Sequence, residues 1–137
     1  MVSSDNIIKF EKEGFYRIMV DKTKNRFYNE VIGAWEKPDD VSNYNPDTTE
    51  AMKHLQPGFT ILTTIEESGP PKFAITKVLK ENQQILLKAG AGKTGIVFLK
   101  GTPILQKMIT NVVGKLSGMQ VKIFKTVEEA EAWLDEK

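Results

Sequence analysis

Apolar and polar residues change rhythm several times along this chain. In residues 14–21, Tyr16, Ile18 and Val20 alternate with Phe15, Arg17 and Met19, the two-residue period of a strand. Asp21, Lys22, Thr23, Lys24 and Asn25 then supply turn chemistry, and residues 26–35 are rich in aromatic and β-branched types, so the two segments predict a β-hairpin. Gly33 marks a bulge or a close backbone approach in its second arm. Residues 1–13, with Ile7, Ile8 and Phe10, read as a short lead. Pro38 with Asp39 and Asp40 has the makings of a first helical turn, because proline loses no bond there and carboxylates favour the positive end of the helix dipole. Pro46 interrupts that helix in this reading, and residues 48–55 continue it.

Gln56, Pro57 and Gly58 end the helix, and residues 59–65 form a run short enough for a buried strand. The period then lengthens. Ala74, Ile75, Val78, Leu79, Ile85, Leu86 and Ala89 recur at three- and four-residue spacing, which predicts a helix over about 71–89. Residues 96–99 read as a four-residue strand. Thr102 and Pro103 open a further helix that Gly118 closes, and residues 121–124 form a last strand. Thr126 and Glu129 stand in capping-box spacing ahead of a final helix holding Ala130, Trp133 and Leu134. The order ββαβαβαβα predicts a single α/β domain over 1–137, a mixed, mainly parallel sheet with helices packed on it, because parallel neighbours need helical crossovers.

Further marks accompany that order. The aromatic hairpin ends in Gly-Ala-Trp (33–35), a helix opens on Pro-Asp-Asp, Gln-Pro-Gly-Phe (56–59) turns into the third strand, and Val-Lys-Ile-Phe-Lys-Thr-Val-Glu-Glu-Ala-Glu-Ala-Trp-Leu (121–134) closes the chain. Together these resemble the SpoIIAA-like family, allied to the STAS domains of anti-sigma factor antagonists, over nearly the whole chain. The resemblance implies a non-enzymatic regulatory module without catalytic residues, working through a protein partner. In the signalling members a loop after the third strand carries Asp-Ser-Ser-Gly, and a kinase phosphorylates the first serine. The matching place here reads Glu66, Glu67, Ser68, Gly69. Glu67 therefore stands in the phosphorylated column, and a kinase-operated switch does not carry over. A carboxylate at a helix start is favoured by about 0.3–1 kcal/mol, so the segment also reads as an ordinary cap before Pro70 and Pro71.

Composition narrows the chemistry. The 137 residues include 40% hydrophobic positions, enough for one core, and contain no cysteine, which removes disulfides, thiolate catalysis and cysteine metal sites and suits a reducing cytoplasm. A polar start and the lack of an apolar run of about 18 residues predict neither signal peptide nor integral membrane association. Ala89-Gly-Ala-Gly-Lys-Thr-Gly95 contains the Gly-Lys-Thr ending of a phosphate-binding loop, but Leu87 stands where the first glycine belongs, and helix precedes and strand follows. It reads as a flexible connection instead. His54 is the single histidine and reads as a helix-end surface residue; the adjacent carboxylate pairs lack the separation acid–base work needs. Neither a metal nor a cofactor is expected.

Charge is unevenly spread. Between 72 and 125, ten lysines face the single acid Glu81, a net of +9, so with +1 overall the remainder carries −8. This asymmetry signals an anionic partner or head-to-tail association, unless the acidic last helix lies close by and cancels the field. Nucleic acid is not the expected partner, since the segment holds no arginine. Finally, Ile104, Leu105, Met108, Ile109, Val112, Val113 and Leu116 cover an arc of about 180°, wider than the ~100° stripe a helix needs to sit on a core. Double-sided packing explains that arc. So does a homodimer seam, or a small apolar or lipid-like ligand held beside Ile104, Leu105, Met108 and Val112, and the neighbouring Lys107 and Lys115 allow attachment to an anionic membrane surface.

Overall fold

The computed structural model describes residues 7–33, 35–66, 73–99 and 120–136. Its elements are β1 (Ile7–Lys12), β2 (Tyr16–Asp21), β3 (Arg26–Ile32), one 3-10 turn (Pro38–Val41), α1 (Tyr44–Met52), β4 (Thr60–Glu66), α2 (Phe73–Lys88), β5 (Lys93–Phe98), β6 (Gln120–Phe124) and α3 (Val127–Asp135). The six strands form one sheet in chain order, β1-β2-β3-β4-β5-β6. β1–β2 and β2–β3 pair antiparallel, and the other three pairings are parallel, so the sheet is mixed and mainly parallel as expected.

Alternation along the strands sorts side chains to two cores. Tyr16, Ile18, Val20, Phe27 and Ile61 face α1 and α2, and join Trp35, Tyr44, Ala51, Ile75 and Leu86 in the larger core. On the opposite face Leu62 and Val97 meet Ala130 and Leu134 of α3, with Tyr28, Phe124 and Trp133 around them. A one-residue slip in any strand would exchange the two sets, which fixes the register. Three aromatic rings anchor the larger core edge to face: Tyr44 lies 4.8 Å from Trp35 and 5.1 Å from Tyr16 between ring centroids. The Tyr16 hydroxyl donates to Asp47 Oδ2 at 2.7 Å. Burial pushes both phenols well above the usual tyrosine range.

The turn chemistry read in the sequence is used directly. Asp21 Oδ1 accepts the amides of Thr23 and Lys24, and Asn25 takes φ +54°, a conformation asparagine tolerates. Thr126 caps α3 by accepting the Glu129 amide at 3.2 Å.

Four expectations change. The segment read as a lead contains an edge strand, β1, so the order opens βββ rather than ββ. Ile8 and Phe10 alternate with Lys9 and Glu11 and pack on the larger core, but the run is short and no residue in it is fully buried, so the strand signal is weak. Pro46 does not interrupt the first helix. It is the third residue of α1, where the amide has no intrahelical partner to lose, and the break falls earlier, at Ser42 and Asn43. The glycine-rich string is not wholly a connection: Lys93, Thr94 and Gly95 belong to β5, and Gly95 lies close beneath α3, where a Cβ would stand 3.4 Å from Ala130 Cβ. The acidic last helix does not neutralise the lysines of α2, because α2 and α3 pack on opposite faces of the sheet. The helix expected over 102–118 lies outside the described residues.

The acids of α3 answer to a different cation. Arg26, only 2% exposed, donates from Nε to Thr60 Oγ1 at 2.8 Å, from one terminal nitrogen to Glu131 at 2.7 Å and from the other to Asp135 at 2.8 Å. Lys24 joins Glu131 at 3.1 Å. At the far end of the helix, Lys93 sits over the Trp133 ring and bonds the Glu136 carbonyl at 3.2 Å, a cation at the negative end of the dipole. Burial, then the nearby Glu131, raises the Tyr28 phenol to about 12 despite the opposing pull of Arg26.

Candidate functional site

The parallel strands β3, β4 and β5 end together, and this carboxyl end is where open α/β sheets usually bind their ligands. Backbone bonds stitch the rim. The Gly33 amide donates to the Glu66 carbonyl, and the Leu99 amide to the Ile65 carbonyl, each at 2.9 Å. Gly33 makes the first of these possible, with φ +66° and space for a Cβ closed by the Gly14 carbonyl oxygen at 3.3 Å. The close approach expected of this glycine is therefore present. Trp35 then ties the departing chain back through Nε1 to the Phe15 carbonyl at 2.9 Å.

α3 covers the rows of the sheet containing Arg26 and Tyr28. The next row toward the rim runs in register across five strands as Glu11, Arg17, Glu30, Thr64 and Val97. Arg17 bonds Glu30 at 3.1 Å and Glu11 at 3.3 Å, and Glu11 also meets Lys9 at 3.3 Å. Arg17 and Lys9 hold the Glu11 carboxyl below its ordinary range. The row thus passes from alternating charge on β1, β2 and β3 to polar and apolar side chains on β4 and β5. Above it Arg17, Glu30, Ile32, Thr64, Glu66 and Leu99 line an open depression of about 160 Å³. Leu99 is 53% exposed at its lip, beside charged groups.

Of the residues picked from sequence, the structure brings Glu66 to this depression. Glu67, Ser68 and Gly69, which follow it directly, lie outside the described residues, as do Ile104, Leu105, Met108 and Val112. His54 follows α1, with its amide bonded to the Ala51 carbonyl at 3.0 Å. Among the described residues no group of three His, Asp or Glu side chains is arranged to hold a metal ion. No described helix is long and apolar enough to cross a membrane.

Arg17, Glu30, Thr64 and Leu99 were not singled out from sequence. The strand alternation already puts Arg17 on the face away from Tyr16, Ile18 and Val20, but only the pairing register reveals that it meets Glu30. Arg26 gave no signal either, since its carboxylate partners stand 105 and 109 positions away. Chemically, the rim presents fixed, mutually paired charges beside an exposed aliphatic side chain, an arrangement suited to recognition by complementarity. The chain matches no protein-family model, no curated protein and no solved structure.

Proposed function

We propose that this protein is a non-enzymatic regulatory module that binds a protein partner at the carboxyl rim of its sheet, around Glu66 and the residues that follow it. The observation that carries this reading is the exposed Leu99 beside the Arg17–Glu30 pair at the open ends of β4 and β5. An apolar anchor ringed by polar groups is the usual anatomy of a protein-binding hot spot. The resemblance to anti-sigma factor antagonists supports the same end of the sheet, since their partner loop follows the corresponding strand. At the rim itself size suits a surface contact: the depression holds about 160 Å³, against the ~300–1,000 Å³ of small-molecule sites.

The test is affinity capture from the source cells with wild type, Leu99→Arg and Glu67→Lys. Both variants should lose a captured protein by about tenfold or more, as hot-spot substitutions do. Undiminished recovery with Leu99→Arg overturns the rim as the docking site.

A further inference from the structure

The sixteen residues of α2 present two sharply different sides. Ile75, Asn82 and Leu86 are buried against the sheet, whereas Phe73, Lys77, Lys80, Gln84 and Lys88 form an exposed crest flanked on one side by the exposed Ala74 and Glu81. At about 100° per residue the five crest residues fall within an arc of about 80° directly opposite the buried set, along a length of about 22 Å. Phe73 is 94% exposed, the most exposed large apolar side chain described. Among the described residues no acid pairs with Lys77, Lys80 or Lys88, and the first turn of α2 contains no acid.

The acids nearest this crest are turned elsewhere. Glu81 points toward α1, 3.5 Å from Asn45 Nδ2; Glu50 is taken by Lys53 at 2.9 Å; Asp40 bonds back to the Lys37 amide at 3.2 Å. The exposed Glu128, Glu129 and Glu136 lie beyond the sheet, on the face that carries α3. The crest itself is therefore cationic, and the acids of the neighbouring α1, Asp47 and Glu50, are engaged by Tyr16 and Lys53.

From this geometry we infer that α2 is a peripheral docking edge for an anionic lipid surface, with Phe73 entering the interface and Lys77, Lys80 and Lys88 resting on the headgroups. A straight crest of cations and one aromatic ring touches a plane along its whole length, and the orientation holds the α3 carboxylates away from the like-charged lipid. A soluble polyanion would use the lysines but leave the exposed ring unexplained. Each lysine near an anionic bilayer adds about fivefold in affinity, and a partly buried phenylalanine roughly tenfold, so the attachment is weak, reversible and salt-sensitive. It involves a different surface from the protein-binding rim, and the two proposals stand or fall separately.

Co-sedimentation of the full chain with phosphatidylcholine vesicles, with and without phosphatidylserine, tests this. Binding should appear only with phosphatidylserine and vanish at about 1 M salt, where the screening length is about 3 Å. Phe73→Ser should weaken it by roughly tenfold, and Lys77→Glu with Lys80→Glu should abolish it. All three positions are solvent-exposed, so circular dichroism should show the variants folded. Absence of binding to anionic vesicles overturns the inference. So does binding that depends on the lysines but is indifferent to Phe73→Ser, which would assign the crest to a soluble polyanion.

Discussion

Arg26→Met is expected to destabilise the fold by about 3 kcal/mol, lowering the thermal midpoint by about 10 °C. Arg26 is almost wholly buried and is bonded to Glu131, Asp135 and Thr60 at once. Methionine fills similar space but leaves a mostly buried carboxylate, Glu131, with Lys24 as its remaining cation. The estimate sits at the low end for broken buried pairs because Asp135 is more than half exposed, and water screens its share. Adding Glu131→Gln and Asp135→Asn should recover much of the loss, since the uncompensated charges disappear with the cation. Denaturant titration of the single and combined variants measures this. Additive losses would show that the arginine acts by packing alone.

The same cluster sets an acid limit. The hydrogen bond from Arg26 holds the Asp135 carboxyl below its ordinary range. A carboxyl with a depressed folded pKa contributes its stability fully above the unfolded value of about 3.9 and loses it as pH falls through the folded value. Wild-type stability should therefore be flat from this source near neutrality and decline below about pH 4. In Arg26→Met that portion of the decline is absent.

Tyr44→Ala carries the second large effect, an expected loss of about 4 kcal/mol. The side chain is fully enclosed and is the middle ring of three, edge to face with both Tyr16 and Trp35. Its removal forfeits transfer energy, leaves a cavity beneath α1 and breaks two ring contacts worth about 0.5–1.5 kcal/mol each. Tyr44→Phe keeps the ring and loses only the buried hydroxyl, so it should cost no more than about 1 kcal/mol. Urea unfolding separates the two variants. Equal losses would mean that the hydroxyl, and not the ring stack, holds α1 to the sheet.

Local chemistry made much of the fold readable. β2 and β3 follow from alternation and a turn that Asp21 builds with its own carboxylate; α2 follows from its apolar spacing, and the start of α3 from Thr126. Features that depend on neighbours far along the chain were hidden. β1 sits at an edge where only Ile8 and Phe10 reach the core, too short an alternation to stand out, and Gly95 lies in a strand beneath Ala130, a contact made across the sheet. The rim shows the same division. Glu66 could be reached by resemblance, but Arg17 and Glu30 acquire meaning only in register, and Leu99 only because the depression beside it is open. Lysine-rich composition pointed to an anionic partner without saying where; which lysines stay unpaired depended on the sheet separating α2 from α3.

Hydrogen exchange on the full chain, free and saturated with its captured protein, tests the central proposal most directly. The account predicts slowed exchange at residues 31–33, 64–66 and 97–99, where the parallel strands end, and unchanged exchange in α3 and along residues 77–88 of α2. Protection confined to α3 or to the α2 crest, with the strand ends exchanging as in the free chain, would contradict it.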